Sequence, residues 1–165
     1  MKRKLLIVAV SLTPVFLFLL LTNYSYIRAE RAIQFTAAAC DSKLTKMRVL
    51  LWLGADVNQY APGRGPAITC AAENGHTKIV EFLIDHGADI NAPQKINVMP
   101  INAATANGHL DIVRLLLSKG ANVNIVGDGG SALHLAVEKG YAEIAKLLRE
   151  HGAKDCSEHE FDRCA

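Results

Sequence analysis

The feature that most constrains the fold is a short glycine-containing sequence that recurs at nearly constant spacing. It reads GADVN at residues 54–58, GADIN at residues 87–91 and GANVN at residues 120–124, with a shortened GAK at residues 152–154. Successive glycines lie 33, 33 and 32 residues apart. A period near 33 is typical of stacked repeats in which each unit is too small to bury its own apolar face. The period therefore indicates recognition through a surface rather than catalysis.

The residues between these glycines predict two short helices in each repeat. Small residues such as Ala71 and Ala104 precede one glycine, and branched residues such as Ile79 and Val80 follow it. Glycine is favoured where a helix ends in a left-handed conformation, so each helix is expected to end at a glycine. The glycines concerned are Gly54, Gly75, Gly87, Gly108, Gly120, Gly140 and Gly152.

Two segments resemble the start of the ankyrin-repeat motif, G-x-T-P-L-H-L-A-A-x-x-G-H. They are GGSALHLA at residues 129–136 and PINAA at residues 100–104. The resemblance covers about residues 32–154 and extends to the L-L-L-x-x-G-A-D-V-N end of the family's second helix. It implies an all-α solenoid of about four stacked helix-turn-helix repeats with β-hairpin-like fingers. The implied repeats are residues 32–58, 59–91, 92–124 and 125–154.

The chain departs from the family pattern at several positions. Only His134 keeps the family's histidine at the base of a finger, which the resemblance implies hydrogen-bonds the loop backbone. The first repeat has Ser42 and Lys43 where the others have Gly-His or Gly-Tyr, and Lys46 where they have isoleucine. A terminal repeat faces solvent on one side, so these polar residues predict an N-terminal capping repeat.

An apolar segment precedes the repeats. Lys2, Arg3 and Lys4 are followed by 17 uncharged residues, 5–21, which as a helix would span about 26 Å. This length predicts one N-terminal apolar helix in residues 1–31 that serves as an uncleaved signal anchor, with Tyr24 and Tyr26 at the interface. A cleaved signal peptide is the alternative, although Ile27-Arg28-Ala29 is a poor cleavage site.

Both interpretations place the repeats on the same side of the membrane. The basic leader stays in the cytoplasm under the positive-inside rule, although Arg28 and Arg31 weaken the asymmetry. The expected protein is a single-pass membrane protein with its repeats outside the cytoplasm, in the periplasm if the source is bacterial. After cleavage it would instead be a soluble secreted or periplasmic protein.

The charge of the repeats argues against a nucleic-acid partner. Residues 32–165 carry 13 Lys and Arg against 15 Asp and Glu, a net charge of −2. Proteins that grip phosphates need a basic stripe, which this segment lacks. The sequence therefore predicts a protein partner, and no nucleic acid or small-molecule substrate.

The four cysteines leave several pairings open. Cys156 and Cys164 flank the polar tail, residues 155–165, and are the favoured disulfide candidate because seven intervening residues can close a loop. Cys70 aligns with Ala103 of the next repeat, which predicts a small buried apolar side chain. Cys40 aligns with solvent-facing positions, and a bond to Cys70 or to another chain remains open.

No set of side chains suggests catalysis or a cofactor. The histidines at 76, 86, 109, 134 and 151 follow the repeat and are interpreted as structural, as are the turn-forming Asp56, Asp89, Asn58, Asn91 and Asn124. His159 with Cys156 and Cys164 gives three potential metal ligands at irregular spacing, a weak pattern compared with paired C-x-x-C. No cofactor and no metal are predicted.

The resemblance also implies where a partner would bind, on the concave side formed by finger tips and exposed positions of the first helices. The finger positions are Tyr60, Arg64, Lys95, Val98 and Asp128. The first-helix positions are Glu73, Asn74, Ala106, Asn107, Glu138 and Lys139. Tyr60 and Arg64 are the expected anchors, because aromatic and arginine side chains dominate interface energetics.

The most economical function is a membrane-tethered interaction module without catalysis of its own. One alternative is an exported redox or stress accessory that uses Cys40 or the tail pair in a functional disulfide. A further alternative is a small metal-binding protein or enzyme that uses Cys156, His159 and Cys164.

Overall fold

A computed structural model describes residues 26–61, 65–91, 98–127 and 129–154. Eight helices lie in these residues: α1 (residues 26–40), α2 (Leu44–Trp52), α3 (Ala67–Glu73), α4 (Thr77–Asp85), α5 (Pro100–Ala106), α6 (Leu110–Ser118), α7 (Ala132–Glu138) and α8 (Ala142–Glu150). A two-stranded antiparallel sheet, β1 (Val126–Gly127) and β2 (Gly130–Ser131), precedes α7. The uncharged run of the expected N-terminal apolar helix, residues 5–21, lies outside the described residues, and so does the polar tail, residues 155–165.

The helices stack as four pairs in chain order. The first helices α3 and α5 pack against their own second helices and against the first helix of the next repeat, and α7 packs against α8 and α5. The second helices also contact one another, α4 with α6 and α6 with α8. Contacts between neighbouring repeats therefore build one continuous core, as the period predicts.

The core contains small side chains from the first helices and larger apolar side chains from the second helices. Alanines at equivalent positions of the first helices are almost fully buried, which lets these helices approach closely. They are Ala38, Ala71, Ala104 and Ala136. Larger apolar side chains of the second helices fill the remaining space, among them Leu83, Leu116 and Leu148. This division matches the small-residue and branched-residue segments of the sequence.

Glycine ends the helices as predicted. Gly75 and Gly108 follow the first helices α3 and α5 with φ of 75° and 73°, a backbone conformation that residues with a Cβ rarely adopt. Space gives a second reason, because a Cβ on Gly75 would lie 2.7 Å from Cε1 of His109. The ring of the next repeat therefore packs directly on this backbone.

Ser42 occupies the equivalent position in the first repeat and has φ of 58°. A left-handed conformation costs a residue with a Cβ about 1–2 kcal/mol. We therefore expect Ser42→Gly to raise the free energy of unfolding by about 1 kcal/mol in urea denaturation. Ser42→Ala keeps the unfavourable conformation and should give no such gain. An unchanged urea midpoint in the glycine variant would contradict the prediction.

The recurrent turns also connect neighbouring repeats. Asp56 forms the expected turn, since its Oδ1 accepts from the backbone N–H of Asn58 at 3.0 Å. Asn58 then reaches the next repeat, where its Nδ2 donates to the Gly87 carbonyl at 2.9 Å and its Oδ1 accepts from the Asp89 N–H at 2.8 Å. Asn124 repeats both bonds with Gly152 and Lys154. These asparagines are thus more than turn formers, because they bridge adjacent repeats.

A disulfide joins the first two repeats. Cys40 at the end of α1 is bonded to Cys70 in α3, and their Cα atoms lie 5.2 Å apart. The interpretation of Cys70 as an unpaired core side chain is therefore wrong, and the bond between neighbouring first helices is the pairing that forms. Cys156 and Cys164 lie outside the described residues, so their pairing stays a prediction.

None of the helices within the described ranges is both long and apolar enough to cross a bilayer.

Candidate functional site

The ends of the first helices place one pair of residues from each repeat in a row. Glu73 and Asn74 end α3, Ala106 and Asn107 end α5, and Glu138 and Lys139 end α7. All are exposed except Ala106, which is half-buried. Because the first helices stack side by side, equivalent ends follow one another along the solenoid. We call these six residues the helix-end row.

Histidines hold this row together from repeat to repeat. His76 Nε2 lies 2.8 Å from the Cys40 carbonyl, and His109 Nε2 lies 3.0 Å from the Glu73 carbonyl. Each ring therefore ties its own repeat to the end of the preceding first helix. Tyr141 takes the corresponding place in the fourth repeat and packs on Gly108. These geometries explain the two histidines as structural, as the sequence predicts.

The remaining polar side chains near the row are also anchored locally. Asn74 and Asn107 each donate from Nδ2 to the carbonyl four residues earlier, at 2.8 and 2.9 Å. These bonds fix the amide groups of two exposed residues. Fixed side chains lose little conformational freedom on binding, which favours recognition.

The fingers are described in part. Tyr60 is 37% exposed and directly precedes Ala61, which pairs with Gly65 in an isolated antiparallel bridge. Val98 is half-buried and lies just before α5. Arg64, Lys95 and Asp128 lie outside the described residues. The structure thus supports a row of first-helix ends, while the arrangement of the complete fingers stays a prediction.

The histidines that follow the second helices hydrogen-bond to backbone carbonyls of those same helices. His86 Nδ1 lies 2.7 Å from the Phe82 carbonyl, and His151 Nδ1 lies 2.9 Å from the Leu147 carbonyl. Among the residues described, no group of three or more His, Cys, Asp or Glu side chains could hold a metal ion. The metal candidates Cys156, His159 and Cys164 belong to the tail outside these ranges.

Sequence reasoning missed an apolar surface on the first repeat. Trp52 is 84% exposed at the end of α2, and Val49 on the same helix and Leu53 directly after it are also exposed. The signal that could have found it is a comparison between repeats, because Asp85, Ser118 and Glu150 stand where Trp52 does.

Comparison with known proteins agrees with the architecture. The family described as "Ankyrin repeats (3 copies)" matches this chain over residues 6–94, 35–127 and 92–159. These matches together cover well over half of the sequence. No curated protein is similar to the chain.

Proposed function

Because this chain belongs to the ankyrin-repeat family, we propose that it is a membrane-tethered module that binds a partner protein outside the cytoplasm. Ankyrin repeats imply protein–protein interaction, and domains of this kind are typically binding modules without catalysis. The observation that carries the proposal is the helix-end row, whose exposed polar side chains are held in register by hydrogen bonds between repeats. The tether and the compartment are the parts that require experiment.

The disulfide supports the extracytoplasmic location. Disulfides persist in oxidising compartments and are rare in the cytosol, where thiols are kept reduced. The bond between Cys40 and Cys70 joins two half-buried residues within the repeat domain itself. It therefore favours an exported domain more directly than the ambiguous charge balance around the apolar segment does.

Protease accessibility tests the location. With the chain tagged at its C-terminus in its native host, we expect repeats to be digested in cells whose outer layers are permeabilised and whose inner membrane is intact. Recovery of the full-length chain with the membrane fraction would support an uncleaved tether. Digestion only after disruption of the inner membrane would contradict the extracytoplasmic location, and a shortened soluble product would contradict the tether.

Partner binding is tested with Tyr60→Ala/Arg64→Ala. Crosslinking in intact cells should recover a specific protein, and the double variant should bind it about tenfold more weakly or worse, because aromatic and arginine anchors dominate interfaces. Its thermal stability should be unchanged, since Tyr60 is a partly exposed loop residue.

The matched control is Arg114→Ala/Lys146→Ala, which removes two exposed side chains from second helices, outside the helix-end row. It should bind the partner as the unchanged chain does. Equal loss in both double variants would contradict a localised binding surface, and unchanged affinity in the Tyr60 and Arg64 variant would remove these residues as anchors.

A redox accessory is the second candidate, favoured by the position of Cys40 beside the helix-end row. Cys40 aligns with Glu73 of the next repeat, so reduction of its disulfide would act directly on the row. Thiol labelling of the protein before and after mild reductant separates the two functions. Partner binding that is unaffected by the reductant would mark the disulfide as structural.

A further inference from the structure

The first repeat exposes most of the large apolar side chains on the described surface. Seven such side chains are exposed in the described residues, and five belong to α1, α2 or the residue after α2. These five are Tyr26 at 70%, Ile27 at 39%, Val49 at 51%, Trp52 at 84% and Leu53 at 46% exposure. We call them the repeat-1 apolar patch. Scattered exposed apolar residues need no explanation, whereas a concentration of them indicates a contact surface.

Two hydrogen bonds bring both parts of the patch together. The Arg31 guanidinium donates from Nη1 to the Leu53 carbonyl at 2.8 Å. Gln59 donates from Nε2 to the Arg28 carbonyl at 3.4 Å. The beginning of α1 therefore lies beside the end of α2. The exposed side chains of the two helices are thus brought to the same end of the first repeat.

The repeat architecture does not require apolar residues at positions 52 and 53, whereas the position of Val49 is apolar in every repeat. Asp85, Ser118 and Glu150 occupy the position of Trp52 in the other three repeats. His86, Lys119 and His151 occupy the position of Leu53. The same helix end is therefore polar wherever it faces only water, so folding alone does not explain the tryptophan and leucine.

The sequence next to the patch indicates what covers it. The uncharged run ends at Leu21, and the chain from there to Tyr26 can extend at most about 18 Å. Tryptophan and tyrosine prefer the boundary between lipid and water, where an amphipathic ring is partly hydrated. A run anchored in a bilayer would therefore hold the patch within reach of the headgroups.

Charge agrees with a lipid surface. Residues 26–52 carry five Lys and Arg against two Asp and Glu, a net charge of +3. Residues 53–165 carry ten against 14, a net charge of −4. Basic side chains near a membrane are attracted to anionic lipids, by about 1 kcal/mol each. The basic end of the solenoid is thus the one that bears the patch.

We infer that the repeat-1 apolar patch lies in the headgroup layer of the membrane and fixes the first repeat against the lipid surface. This inference rests on the proposed tether and adds an orientation to it. Trp52 and Leu53 contact the lipid, and the fourth repeat is the part of the solenoid farthest along the stack from the membrane.

The single tryptophan of the chain is a direct reporter. The full chain is reconstituted in vesicles of phosphatidylcholine and phosphatidylglycerol in equal amounts, and vesicle association is measured by flotation. Trp52 emission should be blue-shifted, protected from aqueous iodide, and quenched when the phosphatidylcholine carries bromine close to the headgroup. Leu53→Lys, which introduces the residue found at position 119, should shift the emission toward that of a hydrated tryptophan.

The matched control is Trp52→Ser/Ser118→Trp, which moves the tryptophan to the equivalent exposed position of the third repeat. Iodide should quench this tryptophan, and brominated lipid should not. Equal lipid quenching at positions 52 and 118 would overturn the inference, because adsorption would then be general.

Three further results separate the patch from the tether. A chain that floats with vesicles while iodide quenches Trp52 would overturn the patch and leave the tether standing. Protection from iodide without lipid quenching, lost when the protein is diluted among more vesicles, would identify a second copy of the chain as the occupant and overturn the inference. A chain that does not float at all would overturn both proposals.

Discussion

Replacing Cys40 and Cys70 by alanine is expected to lower the free energy of unfolding by about 3–4 kcal/mol. The disulfide spans 30 residues of sequence, and closing a loop of that length removes conformational freedom mainly from the unfolded chain. Alanine is the appropriate replacement, because Ala106 and Ala103 occupy the same positions in the third repeat. The measurement is urea denaturation followed by circular dichroism, with Trp52 fluorescence as a reporter of the first repeat.

The comparison is made in a Cys156→Ala/Cys164→Ala background, so that only one pair of cysteines remains. Reduction of that background protein by dithiothreitol should reproduce most of the loss. If the alanine pair and the oxidised background unfold at the same urea concentration, the disulfide does not stabilise the domain.

Leu116→Ala is expected to cost about 2–5 kcal/mol of unfolding free energy. The side chain is fully buried in the middle of α6, in a core shared by neighbouring repeats. Its truncation removes apolar contacts and leaves a cavity that surrounding helices fill only in part. In a solenoid the loss also weakens coupling between repeats, so the unfolding transition should become less cooperative.

Leu115→Ala is the control in the same helix. Leu115 is half-buried, so the same chemical change should cost less than half as much. Thermal unfolding and urea denaturation of the two variants should agree on this order. Similar losses for both would contradict the assignment of Leu116 to the shared core.

Local sequence was enough to predict the repeat architecture, because each repeat contains the residues that end its own helices. Gly75, Gly108 and Gly140 mark positions that need a left-handed backbone, and each ends a first helix. The buried alanines and leucines follow the same period. Even Ser42, which departs from glycine, adopts the conformation that its position in the repeat demands.

Contacts between repeats were harder to predict, since they depend on pairs of residues far apart in sequence. Alignment of Cys70 with Ala103 indicated a small core side chain, and only the stacking of α1 on α3 reveals its partner. Asn58 likewise belongs to a turn in the sequence pattern, through its backbone N–H, but its side-chain amide bonds across to Gly87. The repeat period predicts the residue type and burial of a position, whereas its contacts with other repeats depend on how the helices pack in three dimensions.

The binding role of the candidate site stays a prediction. Its first-helix members lie in a row because their positions repeat with the helices, and all except Ala106 are exposed. Which of these residues meets a partner depends on a second protein, whose surface this sequence does not encode. The repeat-1 apolar patch escaped prediction for the opposite reason, since Trp52 breaks the period rather than following it.

The asparagine bridges give the stack a direction. Asn58 and Asn124 each donate one side-chain hydrogen bond to the following repeat and accept one from it. The donated bond goes to the carbonyl of the glycine that ends the second helix of that repeat, and the accepted bond comes from a backbone N–H. Such a junction works in one orientation only, and at the step between these two Asn91 accepts from the backbone N–H of Asn122 in the same direction. Whole units of about 33 residues could therefore be inserted or removed while the hydrogen bonds between neighbouring repeats are kept. A partial unit would instead leave an asparagine without its bonding partners in the next repeat. The length of the recognition surface can thus change in whole steps while the end next to the apolar segment stays as it is.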